Sequence, residues 1–102
     1  MSINRGDYIV CRADHSGVFV GTFYSRNGQE VELVDARRVH YWDGAASLSE
    51  LSQKGVTRPE NCRFPMAVPY VLILDAIELI PVSTEAENIL KAVPIWSKFD
   101  EK

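Results

Sequence analysis

The arginines and aromatics between Asp35 and Pro65 are the residues of this chain best suited to chemistry on a ligand. That stretch, DARRVHYWDGAASLSELSQKGVTRPENCRFP, places Arg37, Arg38, Arg58 and Arg63 with Tyr41, Trp42 and Phe64 in 31 residues. Guanidinium forks match phosphate oxygens, and aromatic faces accept stacked bases. Between them lies the small-residue turn Gly44-Ala45-Ala46, where a ligand could approach backbone amides, followed by Ser47. The expected chemistry is nucleotide recognition. Arg37 or Arg38, with Arg58 or Arg63, would take the phosphate charge, and Tyr41, Trp42 or Phe64 would stack a base. Ala45, Ser47 and Asn61 would add polar and backbone contacts.

The same stretch has no nucleophile beside a base, so binding without turnover is expected. Elsewhere, His15 stands between Asp14 and Ser16. Three consecutive side chains do not converge as a nucleophilic triad, whose members come from separate elements. His40 has no cysteine or histidine at metal-ligand spacing. Neither a catalytic residue, a metal nor a cofactor is expected.

Each of these residues also has a purely structural reading. Consecutive arginines on a strand point to opposite faces, so only one of Arg37 and Arg38 lines a given pocket unless a bulge intervenes. The other would be solvated or paired with Asp35 or Asp43. Tyr41 and Trp42 could fill a core or an interface. Phe64, ahead of a proline, could plug the core, and Arg58, Asn61 and Arg63 could simply face water.

The elements that must position these residues are strands and two short helices. Asp7 to Arg12 is β-branched and aromatic, and Val18 to Tyr24 follows the turn Asp14-His15-Ser16-Gly17. Asn27-Gly28 marks a hairpin, because both residues tolerate positive φ. Glu30 to Tyr41 begins with Val31 and Leu33 on one face and Glu32 and Val34 on the other, giving three antiparallel strands in meander order. Gly21 within the second strand predicts a bulge or a close approach by another backbone.

Ser47-Leu48-Ser49-Glu50 is a capping box that opens a helix of barely two turns ending at Gly55. Its N-terminal amides would face the arginine-aromatic region. Val56 to Met66 reads as an ordered loop. Val68 to Leu74 and Ala76 to Val82 read as two more strands separated near Asp75, favoured over one helix by their valine and isoleucine content and the bracketing Pro69 and Pro81. Thr84-Glu85-Ala86-Glu87 is read as a second capping box opening a helix to about Ala92. Pro94 and Trp96 should then return to pack, and the tail from about residue 96 to 102 is expected to fray. The fold class expected is α+β: an antiparallel β-sheet core of about five strands with two short helices.

Composition bounds the rest. The 102 residues suit one domain, 1–102, with one modest core. A net charge of −3 argues against wholesale binding to long nucleic acid but permits a small anionic ligand on a local arginine cluster. Cys11 and Cys62 follow no metal spacing and no secretory signal is evident, so reduced thiols in a cytoplasm are expected. The apolar run Val71 to Leu74 is far too short to cross a bilayer, and no membrane association is expected.

The stretches SGVFVGT, SRNGQEVELVDARRVHYWDGAASLSEL and PENCRFP, with the closing AIELIPVSTEAENILKAVPIW, resemble a family of small tailed-phage proteins. These are similar to the phage nucleotide sponges that counter Thoeris and CBASS immunity by sequestering cyclic nucleotide signals. The resemblance covers nearly the whole chain. It implies β-rich subunits pairing into dimers or higher homo-oligomers, with ligand pockets at or near subunit interfaces, in the cytoplasm of the infected bacterial host. It also implies a cyclic di- or trinucleotide, or a cyclic ADP-ribose, as the partner, held intact. His40 stands where the family pattern has a bulky apolar residue, which would alter the pocket wall or the choice of ligand.

The rival expectation is a phage accessory module that docks on a host protein through Tyr41, Trp42 and Trp96, since Arg, Tyr and Trp also dominate protein hot spots. A small structural or morphogenetic protein is a third class, without a positive feature in the sequence.

Overall fold

A computed structural model describes residues 2–97. Strand β1 spans Tyr8–Ala13, β2 Val18–Asn27 and β3 Glu30–Arg38; helix α1 spans Leu48–Lys54, followed by a 3-10 turn over Pro59–Asn61. Strands β4, Val68–Ile73, and β5, Ala76–Pro81, precede helix α2, Thr84–Lys91. The five strands form one antiparallel sheet in the order β4-β3-β2-β1-β5, an α+β fold with two helices. The last residues, 98–102, where fraying was expected, lie outside the described ones. Trp96 does not: its N–H donates to the Phe64 carbonyl at 3.0 Å.

The strand order dictates curvature. β4 and β5 occupy opposite edges, yet only Leu74 and Asp75 join them. Four inter-strand spacings in a flat sheet span ~19 Å, whereas three Cα steps reach at most ~11 Å. The sheet therefore curls into a partly closed barrel, with the chain crossing from one edge to the other at Asp75. Its interior holds Ile9, Cys11, Phe19, Val31, Leu33, Ala36 and Ile73, all buried. Asp75 fixes the crossing: its carboxylate accepts the His15 N–H at 2.6 Å and the Ser16 N–H at 3.1 Å.

A bulge in β3 makes the curl and resets its side-chain parity. Val20 pairs with Arg37 and Thr22 with Val34, so one β2 residue, Gly21, faces two on β3, Asp35 and Ala36. Asp35 takes φ 48°, the left-handed region that Asp tolerates better than most residues. A Cβ on Gly21 would lie 3.0 Å from the Ala36 Cα, so glycine permits this close approach. Before the bulge Val31 and Leu33 point into the barrel; after it Ala36 does, and Arg37 turns outward beneath the helices.

A second core lies between the outer sheet face and the helical layer. Tyr8, Val10 and Val20 meet Val39, Leu51, Val56, Cys62, Phe64, Leu90 and Val93 there. β1 is thus covered on both faces, which is why its sequence YIVC is continuously apolar rather than alternating. Ser47 caps α1, its Oγ accepting the Glu50 N–H at 3.1 Å while Glu50 Oε1 accepts the Ala46 N–H at 2.7 Å. The cap of α2 is Ser83 and not the expected Thr84. Val82 N–H still bonds to the Tyr8 carbonyl, so the ladder holds through Val82 and Ser83 is the first residue able to cap.

Candidate binding surface

Beyond Arg38 the chain leaves the sheet and runs as an extended segment that meets the returning loop. Tyr41 and Arg63 pair antiparallel: Arg63 N–H donates to the Tyr41 carbonyl at 2.7 Å, and the Arg63 carbonyl accepts from His40 N–H at 3.0 Å. This pairing sets the Arg63 guanidinium 5.9 Å from the Tyr41 ring centroid and 5.5 Å from that of Trp96. Trp96 in turn stacks on His40, centroids 5.4 Å apart with the planes inclined by 12°. Tyr41 and Arg63 are exposed, and Trp96 is half-buried. The result is a cation held between two aromatic rings at the surface, extended by an imidazole-indole stack. Such an arrangement can take a planar ring by stacking and an anionic group by charge-assisted hydrogen bonding.

The other expected ligand contacts separate into three groups. Arg37 and Phe64 are interior. Arg37 is 7% exposed, and its guanidinium spends every N–H on backbone carbonyls: Nε on Pro65 at 3.2 Å, Nη1 on Leu90 at 3.4 Å and Val93 at 2.8 Å, Nη2 on Phe64 at 2.8 Å and Pro94 at 3.4 Å. Five donors meet five acceptors, so nothing is left for a phosphate. Burial pulls its pKa down from the ordinary arginine value. Phe64 is fully buried and cannot stack a base.

The second group is consumed by its own loop. Trp42 packs on the outer core and its Nε1–H donates to the Ala45 carbonyl at 3.1 Å. Ser47 and Glu50 cap α1, and the Glu50 carboxylate at that end opposes an incoming phosphate. The Gly44-Ala45-Ala46 turn is tight for a packing reason: a Cβ on Gly44 would fall 2.5 Å from the Thr57 nitrogen. Cys62 pins the same loop from beneath, its sulfur 3.4 Å from the Asp43 N–H donor and 3.5 Å from the Arg58 carbonyl. Burial raises the Cys62 thiol pKa.

The third group is exposed but dispersed. Arg38 lies on the barrel side, its guanidinium 4.4 Å from the Phe19 ring and bonded to the Ser16 carbonyl. Arg58 is exposed at the start of the 3-10 turn, and Asn61 Nδ2 donates to Asp43 Oδ2 at 3.0 Å. Of the ten expected contact residues, the structure therefore brings only Tyr41 and Arg63 into one constellation. Their partners Trp96 and His40 were not in that set. The signal available for them was the position of Trp96 just past Pro94, which returns the chain, and a histidine displacing an apolar residue.

Elsewhere, the Ser16 hydroxyl donates to Asp75 rather than to His15. The His15 Nδ1 lies 3.4 Å from Asp14 and is solvent-facing. Among the described residues no cluster of His, Cys, Asp or Glu could hold a metal ion, Cys11 and Cys62 are free and buried, and no helix is long and apolar enough to cross a membrane. A concavity of about 900 Å³ lies between the β2–β3 hairpin and β5, lined by Ile3, Phe23, Arg26, Gln29, Ile77 and Leu79 among others. None of the expected ligand residues reaches it.

A family described as Domain of unknown function (DUF6948) matches residues 6–90. No curated protein and no solved structure matches the chain.

Proposed function

The chain belongs to the DUF6948 family, and we propose that it is a non-catalytic binding protein that sequesters a cyclic nucleotide on the Tyr41–Arg63–Trp96–His40 surface. The observation that carries this reading is the Arg63 guanidinium set between the Tyr41 and Trp96 rings. A base stacks on the exposed Tyr41 face or extends the His40–Trp96 stack, and Arg63 takes the phosphates. Sequestration needs affinity and abundance, not turnover, so a surface of rings and guanidinium suffices. In the cytoplasm of an infected bacterium such a protein lowers the free concentration of an immune signal without cleaving it.

The test is a calorimetric and thermal-shift panel of cyclic dinucleotides, cyclic trinucleotides and cyclic ADP-ribose isomers. At 100-fold over its dissociation constant a true ligand adds about 2.7 kcal/mol, a melting-temperature rise of roughly 10–20 °C at this chain length. Chromatography of ligand released by heating should recover it intact. Absence of heat with every cyclic nucleotide would overturn the reading, and recovery of a linear product would replace it with an enzyme.

A second reading is supported by Ile95, 62% exposed beside Trp96, and Tyr41, 51% exposed. An apolar patch around an arginine also suits a host-protein contact. Trp42 drops out of that surface because its ring is packed and its N–H is bonded within the loop. Ile95→Glu discriminates: it should abolish a protein contact while leaving nucleotide heat within a few-fold of the parent.

A further inference from the structure

The open edge of β5 borders the concavity beside the β2–β3 hairpin, and it is paired at one end only. The Gln29 carbonyl accepts the Ala76 N–H at 3.0 Å, and the Gln29 Nε2 donates to the Ala76 carbonyl at 3.4 Å. One hairpin residue thus stands in for a neighbouring strand at the start of β5. Further along, the main chain faces the concavity without a strand beside it. The Val82 N–H donates to the Tyr8 carbonyl at 3.1 Å, which makes Ile9–Pro81 a non-hydrogen-bonded pair and Val10–Ile80 a hydrogen-bonded one. By the same alternation Cys11–Leu79 is non-hydrogen-bonded, so the Leu79 N–H and carbonyl turn away from β1 toward the open edge. Pro81 falls at the same parity, where its missing N–H breaks no bond to β1.

We propose that this concavity is a docking groove for an extended, acidic peptide segment of a partner protein, added to β5 as a sixth strand. The peptide main chain pairs with Leu79, and its apolar side chains settle over Ile3 and Phe23, which pack on the barrel core. The size fits: five residues of strand, ~17 Å long, ~4.8 Å wide and ~10 Å through, fill about 800 Å³, against a concavity of about 900 Å³. The charge selects the partner. Glu78 on the β5 wall is held by Arg12 at 2.9 Å, whereas among the described residues no carboxylate pairs with the exposed Arg26 on the hairpin wall. Arg26 is therefore left to take a carboxylate of the incoming segment. A second copy of β5 would not supply one, because Glu78 is its single charged residue and is already engaged. The groove shares no lining residue with the Arg63 surface.

The probes are capped heptapeptides that alternate threonine with valine, leucine or phenylalanine and carry one aspartate, titrated into the intact chain labelled with nitrogen-15. Binding should saturate and slow hydrogen exchange of the Leu79 amide by about 10-fold or more, while the Ile80 amide, already bonded to β1, stays unchanged. Methylating the peptide nitrogens that face β5 should abolish binding; methylating the alternate ones should leave it within a few-fold. Lysine in place of the aspartate should weaken binding by about 10-fold. Arg26→Glu, at an exposed position, should keep the parent circular dichroism and reverse that preference. The proposal is overturned if no peptide binds at 1 mM, or if Leu79 exchanges as fast in the saturated complex as in the free chain. Equal loss from methylation on both faces, or an unchanged charge preference in Arg26→Glu, also overturns it. Leu79 protection that rises with protein concentration in the absence of peptide would give the edge to a second copy and overturn it too.

Discussion

The Arg37 Nη2 donates to the Phe64 carbonyl at 2.8 Å, and the same guanidinium lies 5.3 Å from the Phe64 ring centroid. This contact ties the end of β3 to the loop that returns over the helices. Its Nε donates to the Pro65 carbonyl, and Nη1 reaches the Leu90 and Val93 carbonyls at the end of α2, where a cation complements the helix dipole. One side chain thus joins the sheet, the 56–66 loop and the C-terminus of α2.

Replacing Arg37 by Met should therefore destabilise strongly, because five carbonyls lose their donor together. The expected loss is ~3 kcal/mol or more, a fall in melting temperature of roughly 12–25 °C. Arg37→Lys should recover only part of it, since an ammonium cannot reach acceptors spread over a planar fork. Thermal denaturation by circular dichroism checks this. A melting temperature within 3 °C of the parent would show that the guanidinium is dispensable to the fold.

Gly44→Ala should be nearly as damaging although the residue is in a surface loop. Its φ of 95° lies in the left-handed region, and the added methyl would meet backbone at 2.5–2.6 Å on Thr57 and Arg58. Strain and displacement together should cost ~2–4 kcal/mol. Urea unfolding should show a lower midpoint at an unchanged slope.

Much of the fold is written locally in the sequence. Asn27-Gly28 does mark the β2–β3 hairpin, although its two-residue loop is Gly28–Gln29, with Asn27 paired to Glu30. Ser47 and Glu50 announce the cap of α1 because both partners lie within one turn. Gly21 signals a close backbone approach, and Ala36 makes it. What stays hidden is non-local. Nothing in VPYVLI or AIELIP says that these strands sit on opposite edges, because that placement follows from the curl.

The candidate site is less legible for the same reason. The bulge at Asp35 inverts the parity of everything after it, sending Arg37 outward beneath the helices and Arg38 toward Phe19 on the barrel side. An arginine's type says nothing of whether carbonyls or solvent await it. Tyr41 and Arg63 were accessible to sequence reasoning individually; their bridge across 22 positions was not.

Alkaline pH should weaken the fold through two buried acids. Desolvation pushes the Tyr8 phenol up to about 12 from 10.0 and the Cys11 thiol up to about 11 from 9.0. A group whose folded pKa is raised contributes stability that is complete below its unfolded value and lost as pH rises through the folded one. Stability should hold to about pH 9, fall as the unfolded thiol ionises, and fall faster above pH 10 as the phenol joins it. Tyr8→Phe should flatten the upper part of that decline, between pH 10 and 12, in melting curves recorded at half-unit steps. An identical pH profile in the variant would remove Tyr8 from the account.

Affinity and stability should separate cleanly between neighbouring residues of the same loop. Arg63 is exposed against Tyr41 and Trp96, whereas the next residue, Phe64, is fully buried. Removing one charge-assisted phosphate contact costs ~1.5–3 kcal/mol, so Arg63→Ala should weaken cyclic-nucleotide binding roughly 10- to 150-fold. Tyr41→Ala should lose a stacking face worth ~1–3 kcal/mol. Both variants should melt within a few degrees of the parent, because the pairing of Tyr41 with Arg63 is made by backbone atoms that survive truncation. Phe64→Ala should do the reverse, costing ~3–5 kcal/mol of stability while the folded fraction binds with parental affinity. Calorimetry at 10 °C, with the folded fraction measured in parallel, compares the three directly. If Arg63→Ala binds as tightly as the parent, the ligand lies elsewhere, and the concavity lined by Ile3, Phe23 and Leu79 becomes the place to look.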